Sequence, residues 1–134
     1  MVSSIDGTIS LHDTQEKKVI AKFDVGEKVS AIELHPDGLV LGVGLTNGTI
    51  KIYDIRDMTL QAEVPSTEEN RDIPVGQIRF SNKGIFMAVS WQGMKTCRIY
   101  SLHKNMEFTE IELGDSPITS LDFDKFGGFL LITS

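Results

Sequence analysis

The stretch NGTIKIYDI (residues 47–55) decides the fold, because its pattern occurs twice more and so sets a period. An earlier copy is DGTISLHD (6–13) and a later, worn copy is QGMKTCRIYS (92–101). Each begins with a turn ending in glycine and continues with apolar residues at alternate positions: Ile9 and Leu11, Ile50 and Ile52, Cys97 and Ile99. Alternation with a period of two marks a strand with one buried face. Asn-Gly and Asp-Gly supply the positive φ angles of a two-residue hairpin turn, so a partner strand is expected before each copy. The alternation also predicts that Ile52 and Ile99 enter the packing while Lys51 and Arg98 point away from it.

A second motif interleaves with the first. VSAIELHPDGLVLGVG (29–44), VGQIRFSNKGIFMAVS (75–90) and ITSLDFDKFGGFLLITS (118–134) each read as strand, glycine-bearing turn, strand. Gly7, Gly48 and Gly93 are spaced by 41 and 45 residues, and Gly38, Gly84 and Gly127 by 46 and 43. That period fits one four-stranded propeller blade. The expected fold class is therefore all-β, with no segment showing helical periodicity. At this period the 134 residues hold about three blades, short of the four to eight of closed propellers. The chain is expected to be a segment of a larger propeller of about six or seven blades. It divides into a partial blade over 1–23 that enters at its third strand, blades over 29–64 and 75–113, and a second partial blade over 118–134.

Composition narrows the function classes. With 24% charged residues and a net charge of −6, bulk charge tells against wrapping nucleic acid. No apolar run reaches a membrane-span length, and the start MVSSIDGT lacks the regions of a signal peptide. An intracellular, soluble protein is expected. The single cysteine, Cys97, allows no internal disulfide and aligns with Ile9 and Ile50, which makes it a buried filler rather than a reactive thiol.

Catalytic and metal constellations are not found. His12, His35 and His103 fall on three different elements with no Cys, Asp or Glu at ligand spacing, and His35 reads as the start of a Pro-Asp-Gly turn. Gly42-Val43-Gly44 begins like a dinucleotide fingerprint, but the hairpin residues Asn47-Gly48 follow where a helix must open. Neither a cofactor nor a metal is expected.

The pattern G-x-x-x-[IL]-x-[IL]-aromatic-Asp, with His12-Asp13 and Tyr53-Asp54 in the places of Trp-Asp, resembles the WD-repeat family over essentially the whole chain. Tyr100-Ser101 has lost the Asp, and no Gly-His dipeptide precedes a blade. Within that family, HPDGLVLGVG, TIKIYD, IRFSNKG and ITSLDFDKFG are most similar to the C-terminal propeller of the pre-mRNA-processing factor nineteen group, U-box ubiquitin ligases and spliceosome scaffolds. The resemblance implies a nuclear, non-catalytic interaction module of a splicing scaffold. It would recruit partners or substrates to the spliceosome-activating complex, in a protein tied to ubiquitin ligation and DNA repair. The U-box is absent from these residues, so the segment itself is expected to transfer no ubiquitin. A WD-repeat scaffold of another intracellular assembly, or a propeller with an axial enzyme site on other blades, stays open.

A binding surface follows from sorting the loops. Links between blades and turns between second and third strands share one face of a propeller, and the remaining turns share the other. The first face collects Asp24, Glu27, Glu68, Glu69, Asp72 and Asp115 against Lys28, Arg71 and Lys95. The second carries Arg56, Lys83, Lys104 and Lys125 against Asp37, Asp57 and Asp124. The acidic face is expected to receive a basic segment of a protein partner, with Trp91 as an apolar anchor at its rim. The remaining blades of the same propeller are the other expected partner. Direct nucleic-acid binding and membrane association are not expected.

Overall fold

The computed structural model describes residues 2–5, 7–13, 15–103, 106–124 and 129–133, and every regular element among them is a β-strand. The strands run in chain order through four antiparallel sheets. The first holds β1 (Val2–Ile5), β2 (Thr8–Asp13) and β3 (Lys18–Asp24). The second holds β4 (Val29–Leu34), β5 (Val40–Leu45), β6 (Ile50–Asp54) and β7 (Thr59–Val64). The third holds β8 (Val75–Phe80), β9 (Phe86–Trp91), β10 (Thr96–Ser101) and β11 (Phe108–Glu112), and the last β12 (Ser120–Phe123) and β13 (Leu130–Thr133). From the sequence, the first sheet is expected to enter at its third strand, after the hairpin turn. The structure adds β1 ahead of it, Val2 opposite Leu11 and Ile5 opposite Thr8, the partner strand that the turn requires.

The sheets stack face to face. Between the first and second lie Ile9, Leu41, Val43, Leu45 and Tyr53. Between the second and third lie Ile50, Ile52, Val75, Ile78, Phe80, Met87, Val89, Trp91 and Tyr100. Ala88, Cys97, Ile118 and Leu121 join the third to the last. Successive residues of β6 therefore serve two cores, Ile50 and Ile52 on one side and Tyr53 on the other, as a strand covered on both faces must. The first strands β4, β8 and β12 pack beside their counterparts.

Close approach of β8 to β5 explains the Gly-Val-Gly of residues 42–44. A Cβ on Gly44 would lie 2.5 Å from the Val75 side chain, and one on Gly42 3.1 Å from the Phe80 ring. These glycines are packing positions. The register slips at equivalent places, between Val29 and Ala31 and between Val75 and Gln77. The residue freed in the first bulge, Ser30, turns its Oγ across the sheets to donate to the Val75 carbonyl at 2.8 Å.

Candidate functional site

The links between sheets and the turns between the second and third strands of each blade meet on one face, held by backbone bonds. Val25 N–H donates to Gly7 O, Thr46 to Lys28, Asp72 to Asn47, Gln92 to Pro74 and Ile118 to Met94, at 2.8 to 3.1 Å. Every acidic residue expected on this face sits in or beside one of these links. Lys104 and Lys125, expected on the opposite face, lie outside the described residues.

The link over residues 65–74 is organised by Asn70, which is 1% exposed. Its Oδ1 accepts the Thr67 N–H at 2.7 Å, its own N–H donates to Thr67 O, and its carbonyl accepts Ile73 N–H. A turn closed on itself by an Asn side chain projects what lies inside it. Here that is Glu68 and Glu69. Asp72 follows in the left-handed region at φ 58°, a conformation that Asp tolerates better than most residues. Its N–H is spent on Asn47, while its carboxylate stays on the exposed side.

The six carboxylates differ in what they meet. Glu27 accepts Asn47 Nδ2 at 3.0 Å and faces Lys51 Nζ at 3.8 Å. Glu69 faces Arg98 Nη2 at 4.0 Å. Lys51 and Arg98 hold the same place in their repeats, so each third-strand cation turns toward the link that precedes its blade. This corrects the expectation that both point away from the packing. Arg98 is 6% exposed, with its guanidinium 5.3 Å from the Trp91 ring, 4.6 Å from the Phe108 ring and 3.1 Å from Glu110 Oε2. Beside it, burial pushes the Tyr100 phenol above its ordinary pKa, with Arg98 opposing. Asp24 accepts Gly26 N–H at 2.8 Å. Among the described residues Glu68, Asp72 and Asp115 make no ion pair, so their charge is presented to solvent.

Trp91 is corrected as well. It is 2% exposed and donates its indole N–H to the Gly48 carbonyl at 3.1 Å, a buried tie between two sheets rather than an anchor for a partner. Alignment of Trp91 with the buried Leu45 in the preceding repeat was the signal that could have shown this. Cys97 is fully buried, and that burial, with the Glu110 carboxylate, raises its thiol pKa. A thiol so placed is a poor nucleophile.

Two features escaped the sequence reading. Glu33, Arg79 and Asp122 occupy one position of the three first strands and form an acid-base-acid row, Arg79 Nη1 lying 3.2 Å from Glu33 Oε2. Burial raises the Glu33 pKa despite the arginine, and Asp122 adds to the rise. Aligning VSAIEL, VGQIRF and ITSLDF by position would have exposed this row. The second is His35, whose Nε2 lies 3.0 Å from the Gly84 carbonyl of the next sheet. Among the described residues no group of three His, Cys, Asp or Glu side chains is placed to hold a metal, and no helix is long and apolar enough to cross a membrane.

Residues 1–134 match the family described as nucleolar protein 10-like, N-terminal domain, a β-propeller. Pre-mRNA-processing factor 19 of Oryza sativa subsp. japonica is 32% identical over 108 residues, 79% of this chain and 19% of that protein. Pre-mRNA-processing factor 19 homolog 2 of Arabidopsis thaliana is 30% identical over 135 residues, 98% of this chain and 24% of its own length. WD repeat-containing protein 1 of Gallus gallus is 32% identical over 74 residues, 55% of this chain and 12% of its own. The chain spans about a fifth to a quarter of the first two relatives.

Proposed function

Because this chain belongs to the nucleolar protein 10-like N-terminal family of β-propellers, a protein-interaction fold, we propose that it is the docking module of a nuclear RNA-processing scaffold. Its link face receives a basic segment of a partner protein, and the module performs no chemistry of its own. Support for the nuclear, RNA-processing setting comes from the names of the family and of the pre-mRNA-processing relatives. On the resemblance to the latter, the scaffold is a splicing one, and any ubiquitin-ligase activity belongs to other parts of the protein.

The observation that carries the docking face is the set of unpaired carboxylates of Glu68, Asp72 and Asp115, presented on links that backbone bonds and Asn70 hold in place. Glu27 and Glu69 contribute less, because Lys51 and Arg98 offset them. Rim charges of this kind govern association rate more than residence time.

The test is the association rate of the native protein with an Arg- and Lys-rich peptide. Reversing Glu68 and Asp115 to Lys slows association by about tenfold at about 50 mM salt, and the difference shrinks at about 300 mM as screening sets in. An association rate that the double reversal leaves unchanged at low salt refutes the link face as the docking surface.

A further inference from the structure

Of the prolines Pro36, Pro65, Pro74 and Pro117, only Pro117 follows a hydroxyl residue, Ser116. The pair lies in the link over residues 114–117 between the third and last sheets, beside Asp115, and both residues are exposed. Backbone bonds fix the link at its ends, Leu113 N–H to Lys95 O and Ile118 N–H to Met94 O, each at 3.0 Å. Between those bonds the chain stands clear of the body. A Cβ on Gly114 would meet nothing within 4 Å, and the Ser116 hydroxyl makes no hydrogen bond among the described residues. A proline holds the residue before it in an extended conformation, the form in which protein kinases take a substrate serine. It also brings a position without an N–H, which is what proline-directed kinases select. The hydroxyls of the 65–74 link are less available: Thr67 Oγ1 is 3.3 Å from Asn70 Oδ1, and Ser66 is half-buried.

We propose that Ser116 is the phosphorylation site of a proline-directed Ser/Thr kinase, and that the phosphate strengthens capture of a basic segment. The second half rests on the link face as the docking surface. In the transfer, Ser116 Oγ attacks the γ-phosphorus of Mg-ATP and the bond from that phosphorus to the bridging oxygen breaks. ADP leaves, and the hydroxyl proton passes to the catalytic Asp of the kinase. The charged side chains flanking the link are Glu112, Asp115 and Lys95, all exposed. A phosphate adds about two negative charges, more than the single lysine offsets. No hydrogen bond of the Ser116 side chain is lost, so modification changes the charge of the link and leaves its two end bonds in place.

The test treats the full-length native protein with an active mitogen-activated protein kinase and Mg-ATP. Phosphate is mapped by mass spectrometry, and the association rate with the Arg- and Lys-rich peptide is measured before and after. Ser116 takes up phosphate, and Pro117→Ala abolishes its uptake there. Association then speeds up about threefold at about 50 mM salt, with a smaller gain at about 300 mM. Ser116→Ala, an exposed change that keeps the fold, retains the untreated rate after the same treatment, which excludes phosphates elsewhere as the cause. Absence of phosphate at Ser116 overturns the site and leaves the link face untouched. Phosphate at Ser116 with an unchanged rate, where the Glu68 and Asp115 reversals do slow association, overturns the regulation alone. If neither phosphate nor reversal alters the rate, the link face fails and the regulation with it.

Discussion

Gly84 carries two demands at once. Its φ of +71° lies in the left-handed region, and a Cβ built on it would run into the His35 imidazole of the neighbouring sheet. Gly84→Ala is therefore expected to cost about 1 to 3 kcal/mol, read as a lower urea midpoint of the native protein. Asp54 makes a pH-dependent contribution. The Arg56 side chain, binding through Nε at 3.1 Å and Nη2 at 2.6 Å, and then the Arg56 backbone N–H hold its carboxyl at about 2 instead of 3.8. A carboxyl with a lowered folded pKa stabilises fully above about pH 4, and that stabilisation is lost as pH falls through about 2. The gap in stability between wild type and Asp54→Asn should accordingly close between those two values, and a gap independent of pH would contradict this role. Trp91→Ala is expected to cost about 3 to 5 kcal/mol, as for other large core aromatics, with the same urea titration as its measure.

At the scale of the strand, alternation in residues 50–54 was enough to identify β6 and its partner across the Asn47-Gly48 turn. It did not show that both faces are covered. A polar residue at an alternate position has the same letter whether it meets water or the link of its own blade, which is why Lys51 and Arg98 were placed wrongly. Trp91 failed for a related reason: position in a repeat, not residue type, decides whether a Trp is core or anchor. Asn70 was illegible because a buried turn-former looks like one more polar residue in a polar loop. These placements rank three substitutions. Ile52→Ala should cost about 2 to 5 kcal/mol. Arg98→Ala loses its stacking between two rings and should cost about 1 to 3 kcal/mol. Lys51→Ala, losing a 3.8 Å pair with a half-exposed Glu27, should stay below about 1 kcal/mol. Equal losses at Ile52 and Lys51 would mean that the register of β6 is wrong.

For the molecule as a whole, repeat spacing and turn chemistry made the stacked four-stranded sheets legible, since both are local signals that recur. The docking face was legible only as a charge sum. Which carboxylates are free depends on contacts between residues as far apart as Glu69 and Arg98, and no local pattern reports those. If the ordered links form the surface that captures a basic partner segment, peptide binding must slow backbone exchange there. Hydrogen exchange on the full-length native protein, with and without the Arg- and Lys-rich peptide, is the measurement that decides this. Slower exchange with peptide is expected in residues 24–28, 65–74 and 114–117, with no change in residues 35–39 and 81–85. Protection confined to those opposite turns, or none in the links at saturating peptide, would contradict it.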